Sequence, residues 1–230
     1  MAAAPRTEIP IERLDVAAYT LATDRPESDG TLAWDSTTIV IVELSAGGER
    51  GLGYTYADAS AAQLIDGRLR PEIERADAIA IGAAWDTMLS SVRNAGRPGI
   101  AACAISAVDA ALWDLKARLL DLPLARLLGG SGAVPVYASG GFTSYSLDEL
   151  AEQLAAWVAA GIPRVKMKVG RRPDADLERV RAAREAIGPD AELFVDANGA
   201  YDRKQAQAFA EAFAQERVTW FEESPSPPMT

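Results

Sequence analysis

The sequence predicts an α+β domain followed by an α/β domain of the TIM-barrel type. Near its start, three short runs alternate apolar and polar residues, which is typical of an antiparallel β-meander. In its second half, short apolar strand patterns alternate with helical patterns at a steady interval, which is typical of parallel β/α units. A Gly-rich break at residues 129–132 separates the two regions, so we expect domains at residues 1–130 and 131–230.

The predicted meander occupies residues 11–56, and a Gly-rich turn, SAGGER, joins its last two strands. The stretch 23–35 is polar and rich in turn residues, so we expect a mobile loop there. From residue 59 to residue 128 the apolar spacing becomes helical. The first domain is therefore expected to combine a three-stranded antiparallel meander with helices. The predicted strands are residues 13–21, 37–44 and 51–56.

Four predicted strands of the second half end at regularly spaced residues: Ser139, Lys168, Asp196 and Glu222. The intervals are 168 − 139 = 29, 196 − 168 = 28 and 222 − 196 = 26 residues. One strand, one helix and two loops take about that many residues, and eight such units close a barrel of about 250 residues. We therefore expect about the first four units of a barrel. The four runs are VPVYAS (134–139), RVKMKV (164–169), ELFVD (192–196) and TWFEE (219–223).

Two helix starts within this repeat carry capping boxes. Ser146 is followed three residues later by Glu149, and Asp202 is followed in the same way by Gln205. In such a pair each side chain bonds the other residue's backbone N–H, which satisfies two donors at the beginning of a helix. We expect helices to begin at both positions.

The composition excludes several classes of partner. With a formal net charge of −10, the chain has no long-range attraction to phosphate backbones or anionic membranes, so we expect no nucleic-acid and no membrane partner. No run approaches the roughly 20 apolar residues of a membrane span, and the opening residues lack a signal-peptide core, so a cytoplasmic protein is expected. The chain contains no histidine, which leaves other side chains to transfer protons near neutral pH.

Charged side chains gather at the predicted strand ends. Because side chains alternate along a strand, Lys166 and Lys168 face the same side. Mutual repulsion and partial burial would lower a lysine pKa and give a usable base. Asp196 and Glu222 end two other strands, and carboxylates that converge on one rim suit Mg²⁺. Exposed lysines, a turn at DANG or a frayed strand end would explain each feature alone, but together they favour a catalytic site.

Three motifs carry a family resemblance: RVKMKVG (164–170), ELFVDANGAYD (192–202) and VTWFEE (218–223). In this order and at these intervals, they resemble the consecutive barrel-strand motifs of the enolase superfamily, in its mandelate racemase/muconate lactonizing enzyme-like group and, within that, the mandelate racemase subgroup. The resemblance covers nearly the whole chain. It implies that the first domain is a capping domain and that the second is the first half of a catalytic (β/α) barrel.

The resemblance also implies roles for five residues. Asp196 and Glu222 would be the first two Mg²⁺ ligands. Lys168 would be the base that takes the proton α to a substrate carboxylate, and Lys166 would lower its pKa and contact that carboxylate. Asn198 would be a polar contact near the metal. The small carboxylate substrate would pass through an enediolate, with dehydration of an acid sugar or racemisation of a hydroxy acid as the outcome. A cycloisomerase or a dipeptide epimerase stays open, because both share the lysine pair.

Three further positions are candidate substrate contacts. Ser139 ends the first predicted barrel strand and could contact substrate, although the Gly-Gly pair that follows it favours a simple turn. Trp34 and Tyr54 occupy segments that, in the resembled family, close over the barrel mouth. Packing in the core or on the surface explains these two aromatic residues equally well.

The sequence departs from the resembled pattern after Glu223. Relatives continue with Pro and a further helical unit, whereas here a Pro-rich run follows that cannot form a helix. We therefore expect a truncated chain that lacks the third carboxylate ligand and whose own activity is in question. The alternative function is a non-catalytic half barrel that acts only by association. Open sheet edges and exposed apolar surface would favour a homo-oligomer.

Overall fold

The computed structural model describes residues 8–130 and 132–222, so one residue of the Gly-rich break and the Pro-rich tail lie outside it. The chain forms two compact units. Of the residues that the structure describes, 22–35 and 133–222 belong to the second unit, and the others belong to the first. The first is built on a three-stranded antiparallel sheet with helices, and the second on a four-stranded parallel sheet with helices. The predicted order of an α+β region and an α/β region is confirmed.

The three-stranded sheet contains, in this order, β1 (Arg13–Ser28), β2 (Ala33–Ala46) and β3 (Glu49–Tyr56). The predicted loop at residues 23–35 is wrong, because β1 and β2 both continue into it and leave only residues 29–32 as a turn. Asp29 closes this turn, since its carboxylate accepts hydrogen bonds from the backbone N–H groups of Thr31 and Leu32 at 2.7 Å. The segment is therefore the tip of a long hairpin.

The helical elements of the first unit are α1 (Ser60–Leu64), a π-helical segment (Ile65–Leu69), α2 (Arg70–Ile73), α3 (Ile81–Ser91), α4 (Ile100–Leu119) and α5 (Leu124–Leu127). Their presence confirms the helical spacing after residue 59. Helix α4 packs closely on β3, where two glycines let the backbones approach. A Cβ atom at Gly53 would lie 2.0 Å from the carbonyl oxygen of Ala107, and one at Gly51 would lie 2.3 Å from that of Ala111. This contact joins the sheet to its helices.

The second unit contains, in chain order, β4 (Ala138–Gly140), α6 (Leu147–Ala159), β5 (Arg164–Lys168), α7 (Pro173–Ile187), β6 (Glu192–Asp196), α8 (Arg203–Gln215) and β7 (Val218–Glu222). The strands pair in parallel in the order β4-β5-β6-β7. Both predicted capping boxes are confirmed, with Ser146 and Asp202 as the N-cap residues of α6 and α8. Strand β4 is shorter than predicted, because Pro135 lacks a backbone N–H and Val134 is 77% exposed. In the described part of the chain, no helix is long and apolar enough to cross a membrane.

The parallel sheet has one apolar face and one face that carries charge. Val165 and Met167 of β5 and Val195 of β6 are fully buried in the apolar core formed with the helices. Because side chains alternate along a strand, Lys166 and Lys168 share the opposite face. The fold thus places the charged residues of the sequence motifs on the side of the sheet away from the helices.

Gly53→Ala is expected to lower the free energy of unfolding by about 1–3 kcal/mol, the usual cost of overpacking. The added Cβ atom would overlap a backbone oxygen, which cannot move aside as a flexible side chain can. Urea unfolding followed by circular dichroism measures the change. The matched control is Gly82→Ala in α3, where nothing lies within 4 Å of the added atom. An unchanged unfolding midpoint for Gly53→Ala would contradict the close contact between β3 and α4.

Candidate functional site

The register of the strands brings four charged residues together at the carboxyl ends of β5, β6 and β7. Lys168 pairs with Asp196 across β5 and β6, and Asp196 pairs with Glu222 across β6 and β7. Lys166 lies two residues before Lys168 and therefore on the same face of the sheet. Neighbouring strands lie about 4.8 Å apart, so these side chains meet without a long reach.

The four side chains form one network of ion pairs. The Nζ atom of Lys168 lies 2.6 Å from Oδ2 of Asp196. The Nζ atom of Lys166 lies 2.8 Å from Oε2 of Glu222 and 3.4 Å from the same Oδ2 atom of Asp196. The side chain of Asp196 is 2% exposed and that of Lys166 is 7% exposed, so much of the network is held out of water. Both lysines share one buried carboxylate, which offsets the repulsion between their charges.

The two carboxylates keep Lys166 charged. Burial by itself lowers the pKa of Lys166, but the hydrogen bond to Glu222 and the negative charge of Asp196 together raise that pKa above its ordinary value. The predicted effect of Lys166 on the base Lys168 stays a prediction, because the raised pKa is that of Lys166 itself. The sequence reveals the neighbouring positive charge, but it does not show that two acids lie within ion-pair distance of this ammonium group. A lysine whose pKa is raised is suited to contact a carboxylate as an ammonium group.

The carboxylates of Asp196 and Glu222 point toward one shared cation. The ammonium group of Lys166 lies within ion-pair distance of both Asp196 and Glu222. Two carboxylates on adjacent strands around a shared cation fit Mg²⁺, which prefers hard oxygen ligands and often keeps several waters. Among residues 8–130 and 132–222, no group of three or more His, Cys, Asp or Glu side chains could hold a metal ion. A metal at this point would have Asp196 and Glu222 as its protein ligands from the described residues.

Two other predicted contacts lie beside this network. The backbone of Asn198 is left-handed, with a φ of 48°, and its N–H group donates to Oδ1 of Asp196 at 3.0 Å. The turn at DANG therefore also orients the Asp196 carboxylate, so the turn explanation and the site explanation are compatible. Ser139 pairs with Lys166 across β4 and β5 and is exposed.

Tyr137 lies against the site although the strand pattern did not single it out. The centroid of its ring lies 5.2 Å from the Nζ atom of Lys166, which donates a long hydrogen bond of 3.4 Å to the Tyr137 hydroxyl. The ring also meets Phe194 edge to face, with centroids 5.5 Å apart. A cation over an aromatic face is stabilised by the ring's negative face. The alternation of side chains along a strand could have identified Tyr137, because it puts Tyr137 on the same face as Ser139.

The tip of the β1–β2 hairpin packs on the loop that follows β4. The N–H group of Thr143 donates to the carbonyl oxygen of Ser28 at 2.8 Å. Trp34 meets Phe142 edge to face with centroids 5.6 Å apart, and its indole N–H donates to Glu27 at 2.8 Å. Trp34 is therefore part of a packed tip within the second unit.

Gly30 allows this tip to pack closely against the loops that follow β5 and β6. A Cβ atom there would lie 2.3 Å from the carbonyl oxygen of Ala197 and 2.7 Å from that of Val169, the residues that directly follow two of the site strands. Only a residue without a side chain fits this position. Tyr54 lies in the first unit, where it is 56% exposed and contacts Tyr56 edge to face, and its role in the site stays a prediction.

Two protein-family models match this chain. The N-terminal domain of mandelate racemase / muconate lactonizing enzyme matches residues 16–129. The enolase C-terminal domain-like family matches residues 149–229, which contain all three strand motifs. The two matches follow one another along the chain in the order that the motif resemblance implies.

Several known proteins are similar along most of the chain. A mandelate racemase/muconate lactonizing enzyme-like protein from Rubrobacter xylanophilus is 61% identical with a TM-score of 0.92, over 94% of this chain and 61% of that one. A 3,6-anhydro-alpha-L-galactonate cycloisomerase from Streptomyces coelicolor is 38% identical, over 94% of this chain and 61% of its own length. L-talarate/galactarate dehydratase from Salmonella typhimurium, solved with Mg and L-lyxarohydroxamate, is 30% identical with a TM-score of 0.87, over 96% of this chain and 60% of that one. The chain spans about three fifths of the length of each of these proteins. It belongs to the mandelate racemase/muconate lactonizing enzyme-like group of the enolase superfamily.

Proposed function

We propose that this chain carries the base and two metal ligands of a Mg²⁺-dependent enzyme that removes the proton α to a carboxylate. The enzyme is proposed to be an acid-sugar dehydratase. The observation that carries the proposal is the ion-pair network in which two lysines and two carboxylates meet at the ends of three adjacent parallel strands. The family supports it, since the relatives include dehydratases, cycloisomerases and an epimerase.

In this proposal residues 1–130 form a capping domain and residues 131–230 form the first four units of a (β/α) barrel. The parallel order β4-β5-β6-β7 supports the barrel assignment, because consecutive strands of such a barrel are neighbours in the sheet. Barrel enzymes hold their active sites at the carboxyl ends of the strands. The network of Lys168, Asp196 and Glu222 lies at that end.

Asp196 and Glu222 would hold Mg²⁺ in this enzyme. The Salmonella dehydratase, a relative of this chain, was solved with magnesium bound. When bound, Mg²⁺ offsets the negative charge that develops on the substrate carboxylate as the proton leaves. With another cation between the two acids, the ammonium group of Lys166 would be released from them to bind the substrate carboxylate.

The two lysines would divide the work of proton transfer. Lys168 would form an N–H bond to the α-proton while the C–H bond breaks, and the electron pair would move into the carboxylate to give an enediolate. The ammonium group of Lys166 would favour this shift of charge by binding the carboxylate. In a dehydration the electron pair then expels hydroxide from the β carbon, and the hydroxide takes up a proton and leaves as water.

Four further residues are proposed to contact the substrate. Ser139 and Asn198 lie beside the network, on the strand and the turn that adjoin Lys166 and Asp196. Trp34 and Tyr54 would select the substrate from segments of the long hairpin and of β3. The hydroxyl groups of Ser139 and Tyr54 and the amide of Asn198 suit a polyhydroxylated acid, and Trp34 would add an aromatic ring.

A cycloisomerase is the second candidate, because a cycloisomerase from Streptomyces coelicolor is 38% identical to this chain. The two candidates share the removal of the α-proton and differ in the product. Dehydration removes one water from the formula of the substrate, whereas cycloisomerisation conserves that formula. Mass spectrometry of the products formed from a panel of acid sugars and their anhydro and lactone forms separates them.

Lys168→Ala is expected to lower the exchange of the α-proton of galactarate with solvent deuterium by about 10²–10⁴-fold, the usual contribution of a general base. Proton NMR in D₂O with Mg²⁺ present measures the loss of the α-proton signal. Lys204→Ala, an exposed lysine of α8, is the matched control and should exchange like the wild type. If galactarate exchanges in neither protein, arabinonate is the second probe. Exchange that is unaffected by Lys168→Ala would contradict the assignment of the base.

Asp196→Asn and Glu222→Gln are each expected to weaken Mn²⁺ binding by at least about tenfold, because each removes a charged oxygen ligand. Mn²⁺ replaces Mg²⁺ in the measurement so that electron paramagnetic resonance can count the free ion. Glu192→Gln, at the opposite end of β6, is the matched control and should bind like the wild type. Equal affinity in the wild type and in both site variants would contradict the metal assignment.

A further inference from the structure

The beginning of α7 carries two buried charged residues that take no part in the proposed chemistry. Asp176 is 1% exposed and Arg179, almost one turn later, is 8% exposed. Burying such groups is costly unless hydrogen bonds and opposite charges compensate them. Their partners therefore show what this part of the helix holds in place.

Asp176 joins the loops that follow β5 and β6. Its Oδ2 atom accepts a hydrogen bond from the backbone N–H of Gly170 at 2.8 Å and another from the hydroxyl of Tyr201 at 2.5 Å. Gly170 lies two residues after Lys168, and Tyr201 lies five residues after Asp196. One buried carboxylate thus links the segment behind the proposed base to the segment behind the proposed metal ligand.

Burial makes this link costly to ionise. Burial raises the pKa of the Asp176 carboxyl, against the lowering effect of its hydrogen bonds to Tyr201 and Gly170. Burial and the hydrogen bond to Asp176 also raise the pKa of the Tyr201 hydroxyl, which therefore remains a donor. The Tyr201 hydroxyl is thus available to donate to Asp176.

Arg179 joins the loop that follows β4 to the same helix. Its guanidinium group donates to the carbonyl oxygens of Tyr145 at 2.7 Å and of Phe142 at 2.9 Å. In the same loop, the carbonyl oxygen of Gly141, the residue before Phe142, accepts a hydrogen bond from the backbone N–H of Lys168 at 3.0 Å. The Nε atom of Arg179 is buried without a hydrogen-bond partner among the described residues, so the guanidinium is placed by these carbonyl contacts. Three successive loops at the site edge are thus tied to one turn of α7.

We propose that Asp176 and Arg179 are positioning residues that fix the separation between Lys168 and Asp196 by holding the loops behind β4, β5 and β6 to α7. The proposal rests on the proposed function, since it assigns these two residues a purpose in that reaction. Backbone hydrogen bonds continue just past the strand ends, from the N–H of Val169 to the carbonyl oxygen of Asp196 at 3.0 Å. Beyond that point, the contacts of Asp176 and Arg179 tie the loops to α7. A misplacement of about 1 Å can cost about 10²-fold in rate, so such a device has a large effect on the chemistry.

Tyr201→Phe tests the proposal with the smallest structural change, because it removes one hydroxyl and keeps the ring stacked on Phe209. We expect the dissociation constant for Mn²⁺ to rise about tenfold, the usual effect of removing a group behind a metal ligand. The amide of Gly170 should exchange with solvent faster, as measured by NMR. The rate constant for α-proton exchange should fall while KM stays near the wild-type value. A general loss of stability would instead speed the exchange of backbone amides throughout the chain, which the same NMR spectra would show.

Three further variants keep the test decisive. Asp176→Asn retains an acceptor oxygen but removes the charge that faces Arg179, and it should weaken Mn²⁺ binding in the same direction. Tyr19→Phe, at an exposed tyrosine of β1, is the matched control for Tyr201→Phe. Asp174→Asn, at an exposed acid of the same helical turn, is the matched control for Asp176→Asn. Both controls should bind Mn²⁺ like the wild type.

The outcomes separate this proposal from the proposed function. If the wild type exchanges no α-proton but Tyr201→Phe and Asp176→Asn weaken Mn²⁺ binding, the reaction assignment fails and the positioning role stands. If the wild type binds Mn²⁺ and both variants bind it as tightly as their controls, with Gly170 equally protected, the positioning role is overturned.

Discussion

The site depends on one buried carboxylate, that of Asp196, which two lysines share. Its Oδ2 atom lies 2.6 Å from the ammonium group of Lys168 and 3.4 Å from that of Lys166. Two positive charges this close would repel strongly in a buried place. The shared negative charge is what lets both lysines face the same side of β5. In the proposed function Asp196 is also a metal ligand, so the lysine arrangement and the proposed metal site depend on the same carboxylate.

The rest of the second unit serves to hold this carboxylate in place. Parallel pairing sets Lys168, Asp196 and Glu222 side by side, and the apolar residues between them anchor each strand to the helices. The N–H group of Asn198 fixes the other oxygen of Asp196. Behind the strands, the carboxylate of Asp176 joins the two following loops. Strand pairing places the backbone, and buried polar contacts then orient the side chains.

Much of this could be predicted from the sequence, because it depends on local periodicity. The regular spacing of strand ends gave Lys168, Asp196 and Glu222, and alternation along β5 gave the shared face of the lysines. The hairpin tip could not be predicted, since its order comes from Gly30 packing on loops about 140 to 170 positions away in the chain. Nor could the burial of Asp176, which looks like an ordinary first-turn acid of α7. The raised pKa of Lys166 likewise follows from tertiary contacts that no motif displays.

The central claim is that two acids from separate strands meet around a shared cation. Anomalous X-ray scattering from crystals of this chain grown with Mn²⁺ tests it most directly. We expect one strong anomalous peak about 2 Å from carboxylate oxygens of both Asp196 and Glu222, close to the distance for Mg²⁺, with the ammonium group of Lys166 displaced from its place between them. A peak elsewhere, or none at saturating Mn²⁺ with Asp196 still paired to both lysines, would contradict it.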